Sequence, residues 1–164
     1  MQIELVPTLI DMYRETFEGE VRPGWCWIVS GPARDSVLGS LDQLTVQQAY
    51  AVAGPERKSI AAHTAHLKYT LELTLKRLQG ENPPTDWPGS FHVDEASGAN
   101  WEKLRMGVKE AYLAVLAYFE QQRQTPIQDW QPIHVAGLTA MIGHNAYHLG
   151  AIRQLMLDAQ PKTP

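Results

Sequence analysis

Apolar residues recur at spacings of three and four along four stretches of the chain, the period of an amphipathic helix. The first stretch covers about residues 3–18, where Ile3, Val6, Ile10, Tyr13 and Phe17 share one face. Pro7 falls in its first turn or so, where a missing N–H costs least, and Gly19 with the Arg22-Pro23-Gly24 turn stops it. In the second, about residues 58–78, Ile60, Thr64, Leu67, Leu71, Leu75 and Leu78 mark one face and Lys68, Glu72 and Lys76 the other. Gly80 is placed to end it, and Pro83-Pro84 prevents continuation. The third is predicted to start after Asn100 as N-cap and to run to about residue 122. Trp101, Leu104, Val108, Tyr112, Val115 and Phe119 form its stripe, and Pro126 follows. The fourth is predicted over about residues 134–159, after Pro132, with Met141, Asn145, Leu149, Ile152 and Met156 facing inward.

Helices of these lengths are rods of roughly 25–37 Å at 1.5 Å per residue, and no convincing strand alternation accompanies them. The pattern predicts an all-α fold, a four-helix bundle. Residues 19–57 are too many for a bundle loop. They are predicted to form a long crossover between the first and second helices, with short helices over 33–41 and 46–52 and Thr45 capping the latter. Residues 80–98 form a second long connection, with Trp87 and Phe91 expected to fold over a bundle end.

With 164 residues and 18.4 kDa, the whole chain, 1–164, is expected to be one domain. Hydrophobic residues at 44% and charged residues at 20% belong to a globular chain rather than a disordered one. A formal net charge of -4 argues against nucleic acid as a partner, because a basic stripe supplies most of that affinity. The longest apolar run, residues 111–119, is about half of a membrane span, so no membrane partner is expected. Glu4 and Asp11 with no basic start do not read as a secretory signal. The single cysteine, Cys26, excludes an intramolecular disulfide and fits a reducing, cytoplasmic setting. Cys26 stands in W-C-W, where a small buried hydrophobe between packing aromatics is the plain reading. No basic residue stands beside it to activate the thiol.

Six histidines in such a chain are the unusual feature. His144 and His148, in G-H-N-A-Y-H-L-G, are four apart, which puts both rings on one helix face about 40° apart. This is the spacing at which a helix presents two imidazoles to one ion. His63 and His66, in S-I-A-A-H-T-A-H-L, both fall in the uncharged arc of the second helix, and the wheel alone does not choose between them. A histidine on an apolar face is commonly a hydrogen-bonded core residue, and spacing by itself is a weak signal. Two inward-facing clusters on two helices strengthen the metal reading, since buried imidazoles without partners are costly. The pattern is not that of a zinc protease: H-E-x-x-H needs a glutamate in the second position, and here it is Asn145, which takes no proton. His92 and His134 are expected to face solvent, and Trp87 or Trp27 to line a pocket mouth. Tyr147 is about 100° from His148 on the wheel and need not approach an ion.

Together, S-I-A-A-H-T-A-H-L, the following L-x-G-E with its Pro/Trp loop, and G-H-N-A-Y-H-L-G-A-I-R-Q resemble the DinB-like/YfiT-like superfamily. L-D-Q-L-T-V-Q-Q-A ahead of the second helix is similar to that family's L-x-x-L-T-x-E-Q-A, and the likeness covers nearly the whole chain. The resemblance implies a four-helix bundle and a divalent metal held by three histidines, one from the second helix and two from the fourth. Carried onto this sequence, they are His66, which precedes Leu67, with His144 and His148. His63 would then support the site, line its pocket or simply be packed. The resemblance further implies a metal-dependent transferase that joins a small thiol of the bacillithiol or mycothiol type to an electrophile, and a homodimer. Zn or Ni is the expected ion, with Mn or Fe as alternatives. A non-catalytic metal- or small-molecule-binding stress protein is the second reading, and a structural bundle with core histidines the third.

Overall fold

The computed structural model describes residues 4–29, 31–52 and 54–159. Ile3, which opens the predicted first stripe, lies outside them. Among the described residues the chain is helical, with no strand. The six α-helices are α1 (Leu5–Glu18), α2 (Val37–Asp42), α3 (Val46–Tyr50), α4 (Ile60–Leu78), α5 (Gly98–Glu120) and α6 (Pro132–Asp158). The four long ones match the four apolar stripes. α4 packs on both α5 and α6, and α1 packs on the same two. Among the described residues no helix is long and apolar enough to cross a membrane.

Local chemistry sets the helix ends. Ser59 caps α4 by accepting the Ala62 N–H at 3.1 Å. At the other end Gly80 adopts φ +87°, and the Glu81 N–H reaches back to the Lys76 carbonyl at 2.9 Å. This left-handed turn favours glycine and satisfies the last carbonyls of the helix. Thr45 and Gln48 form a reciprocal capping box on α3. Two predicted starts shift. α5 begins at Gly98 rather than after Asn100, because the Ser97 hydroxyl already accepts the Asn100 N–H at 3.1 Å. The Asn100 side chain instead donates to the Glu95 carbonyl at 2.8 Å. α6 starts at Pro132, not two residues later, since proline at the first helical position loses no hydrogen bond.

The predicted stripes face one core. Tyr13, Phe17, Tyr112 and Phe119 are fully buried, and Phe17 stacks on Tyr112 with ring centroids 4.4 Å apart. Ile60, Leu67 and Leu71 of α4 and Leu138 and Ile152 of α6 complete its centre.

Two acidic residues on the inner side of α1 were not apparent in the apolar pattern. Glu15 is fully buried. Its Oε1 accepts the backbone N–H groups of Trp27, Ile28 and Val29 at 2.7, 2.6 and 2.8 Å, which ties the crossover to α1. Asp11 receives Arg123 from beyond the end of α5 at 3.0 Å, and also Arg22 from the crossover. Cys26, between Trp25 and Trp27, is only half-buried. Trp25 and Trp27 meet edge to face at 5.8 Å, and Trp27 is 70% exposed.

Removing the Glu15 carboxylate would leave three backbone donors without their acceptor. Glu15→Ala is expected to cost about 3 kcal/mol, and Glu15→Gln less, because an amide oxygen still accepts. Urea denaturation checks this; equal midpoints for wild type and Glu15→Ala would show that the carboxylate does not hold the crossover.

Candidate metal centre

The α4–α6 contact brings four imidazoles together. His63 and His66 come from the first two turns of α4, and His144 and His148 from the middle of α6. His66 and His148 are buried and His144 half-buried. One ring nitrogen from each of His66, His144 and His148 can be chosen so that all three lie within 4.8 Å of one another. These are the three residues expected from the sequence, and as a group they could hold a metal ion.

His66 and His144 face each other through Nε2 atoms 3.1 Å apart. Two imidazole nitrogens each about 2.1 Å from a shared ion stand roughly 3.0–3.4 Å apart for angles between a right angle and the tetrahedral one. The spacing therefore fits a common ion. It fits the ordinary hydrogen bond of one protonated and one bare nitrogen as well, so the orientation of the rings carries more weight.

That orientation can be followed atom by atom at His66. Its Nδ1 lies 2.6 Å from the Ser90 hydroxyl, and the same hydroxyl donates to the Trp87 carbonyl at 2.5 Å. Ser90 has one proton, and it goes to Trp87, so Ser90 must accept from His66. Nδ1 therefore carries the hydrogen, and Nε2 presents a bare lone pair toward His144. Phe91 stacks flat on the His66 ring, with centroids 4.1 Å apart and planes within 8°, and fixes its plane. Metal-bound histidines are usually held this way, by a partner on the far nitrogen.

His148 has a different partner. Its Nδ1 meets Nδ1 of His63 at 2.9 Å, which leaves Nε2 as the nitrogen free for an ion. His63 thus supports His148 rather than joining the three-residue group. His144 is less completely held: its Nδ1 is buried without a hydrogen-bond partner. Asn145, between the two α6 histidines, is fully buried, and neither of its amide atoms has a partner. It faces the core and supplies no base.

The site keeps its imidazoles neutral. Burial lowers the pKa of His66 to about 4, with smaller contributions from His144 and His63. Burial lowers that of His148 to about 3, helped by its three histidine neighbours. His144 is lowered by burial, and His63 by burial and then by Lys58. All four carry lone pairs at neutral pH, as metal ligands must.

Alongside the cluster runs a groove between α4 and α6, about 320 Å³ in volume, with His144 in its wall. Its remaining lining is mostly apolar and includes Trp87 but no carboxylate. The connection between α4 and α5 therefore does more than cover a bundle end: Trp87, Ser90 and Phe91 all reach the histidines. Ser90 escaped the sequence reading, and only its place in W-P-G-S-F, between the two aromatics, marked it. Of the remaining histidines, His92 is exposed as expected. His134 is not solvent-facing: it is half-buried, bonds the Tyr118 hydroxyl at 3.0 Å and lies edge-on to Trp130. Tyr147 is 70% exposed and touches only the edge of its neighbour His148 among these rings.

Two outcomes follow from this geometry. Ser90→Ala is expected to weaken Zn or Ni binding about 10–100-fold by releasing the His66 ring. Calorimetric titration checks it, and an unchanged affinity would mean that Ser90 does not orient the ligand. In metal-free protein, the unfolded chain takes up protons near the usual histidine pKa of about 6.5, while folded His66 and His148 resist to about 4 and 3. Stability should therefore be level in this respect above about pH 6.5 and fall as the pH drops toward 4. Urea midpoints across pH 4–8 test the sign, and a His66→Gln, His148→Gln double variant should show a shallower fall.

Among curated proteins and among solved structures, nothing matches the chain significantly. A family model does: that of the DinB superfamily matches residues 32–152. The match takes in the crossover helices, α4 with His66, the loop with Ser90 and Phe91, and α6 through His148. With most of its length and its three clustered histidines inside the match, the chain belongs to the DinB superfamily.

Proposed function

We propose that this chain is a metal-dependent transferase that joins a low-molecular-weight thiol, of the bacillithiol or mycothiol type, to an electrophilic carbon. The observation that carries the reading is the convergence of His66, His144 and His148 beside an apolar groove. In this reading the chain is a single-domain four-helix bundle that works in the cytoplasm as a homodimer.

Three neutral imidazoles would hold the ion, Zn or Ni first and Mn or Fe next, without cancelling its charge. When bound, such an ion supplies Lewis acidity that keeps a thiol in its thiolate form. The residues of the chain do the rest. Ser90 and Phe91 hold His66 in the ligating tautomer and plane, and His63 engages Nδ1 of His148 so that Nε2 is the nitrogen left for the ion. The apolar groove wall offers the reacting partners a surface to bind against. The bond that forms joins the thiol sulfur to the electrophilic carbon. The leaving group departs with the bonding pair, and the thiol proton passes to solvent. This chemistry asks the chain for neither a nucleophile nor a base, which agrees with a groove free of carboxylates and with Asn145 between the two α6 histidines.

Elemental analysis of the purified protein should find stoichiometric Zn, Ni, Mn or Fe. His144→Ala and His148→Ala should each lose most of it, and retention of wild-type metal by both would end the site reading. Metal-loaded protein incubated with a panel of thiols and monochlorobimane should then accelerate conjugation over free metal, and His148→Ala should lose at least tenfold of that rate. Metal uptake with no acceleration by any thiol would favour a non-catalytic metal-binding protein.

A further inference from the structure

The groove between α4 and α6 has a direction. The two helices run past each other so that His66 lies opposite His144, and Leu78 lies against Gly137. There a Cβ on Gly137 would sit 3.3 Å from the Leu78 side chain, which packs directly on the glycine. Leu73, Leu78 and Met141 are buried and form the floor. The Thr74 hydroxyl, which also lines the groove, is already spent on Met141 sulfur at 3.4 Å. Ile133 and Trp87, each 47% exposed, stand at the rim.

One charged side chain lines this groove, Arg77. It is exposed and makes no ion pair among the described residues. Along α4 it lies about three turns from His66, roughly 16 Å of helix axis. The groove therefore has the histidines at one end, a free guanidinium at the other and apolar surface between.

We infer that this groove binds an elongated apolar compound carrying a carboxylate at one end, the carboxylate paired with Arg77 and the opposite end directed at His144. The polarity of the walls sets the chemical class. A purely polar ligand would bury nothing against Leu73, Leu78 and Met141, and a neutral chain would leave Arg77 unused. A guanidinium pairs well with a planar carboxylate through parallel N–H donors. Taking the His144 end as the reacting end rests on the proposed transferase activity, and makes this compound the electrophile; the binding itself does not require it.

Titration calorimetry with octanoate and with octan-1-ol tests the assignment on the full chain. Wild type should bind octanoate at least tenfold more tightly than the alcohol. Arg77→Gln should lose that preference and leave the alcohol unaffected, and Ala140→Trp, which fills the exposed groove wall, should abolish both. Equal affinity of wild type for the two probes, no binding of either, or full preference retained in Arg77→Gln would overturn the proposal. So would a dimer whose dissociation by Ala140→Trp shows that a second copy covers the groove. The two readings separate cleanly: octanoate binding that persists without metal uptake would spare the groove and sink the transferase. Stoichiometric metal with no octanoate binding would do the reverse.

Discussion

Four neutral imidazoles facing one another across two helices are the constraint around which this protein is arranged. Burial holds His66 and His148 far below the usual histidine pKa, so their nitrogens meet as lone pairs and N–H groups rather than as repelling cations. Two such contacts, His66 with His144 and His63 with His148, join the middle of α6 to the first turns of α4. A ring with the wrong tautomer would put two hydrogens or two lone pairs in opposition at about 3 Å. The α4–α6 seam and the proton positions of the cluster are therefore one problem, and the Ser90 hydroxyl decides it at His66. A turn of three residues, Gly89–Phe91, supplies both the hydrogen-bond partner and the stacking plane for that imidazole.

The rest of the chain keeps this seam in register. α1 packs on α5 and α6, and its two inward acidic residues bind the segments that leave the long helices. Glu15 collects three consecutive backbone donors of the crossover, and Asp11 collects an arginine from beyond α5. An irregular strap cannot satisfy its backbone by pairing with a sheet that does not exist here, and a carboxylate is an efficient replacement because one oxygen accepts several N–H groups. Crossover and cluster thus rely on the same device, a buried polar atom that gathers partners from a distant segment, although Oε2 of Glu15, Asn145 and the far nitrogen of His144 are buried without partners.

The long helices were legible because each buries one stripe, and burial writes itself into the sequence at intervals of three and four. The histidine cluster was legible for a related reason: His144 and His148 occupy one turn of one face. Choosing between His66 and His63 was beyond periodicity, since both occupy the same arc; family resemblance pointed to His66, which is the one that groups with His144 and His148. Asp11 and Glu15 were hidden because polar residues at inner positions break the stripe without announcing their partners, which lie many residues away. Ser97 displaced Asn100 as the α5 cap for a similar reason. Both residue types cap well, and the choice depends on which of them the preceding loop leaves free.

Charge balance connects the cluster to its surroundings. Three imidazoles contribute no negative charge, the groove beside them contains no carboxylate, and its far end carries Arg77. An ion held there would keep its full 2+ in a largely apolar setting, where uncompensated charge is costly. Compensation must come from what binds. A thiolate at the histidine end and a carboxylate at Arg77 would each supply one negative charge where the chain supplies none, and neutral molecules of the same shape would supply neither. Selectivity for anionic partners in this reading follows from the residues that the site omits as much as from those it contains. Placing an acidic residue in the groove, as in Thr74→Glu, should then weaken anion binding even though it adds a polar group to an apolar wall.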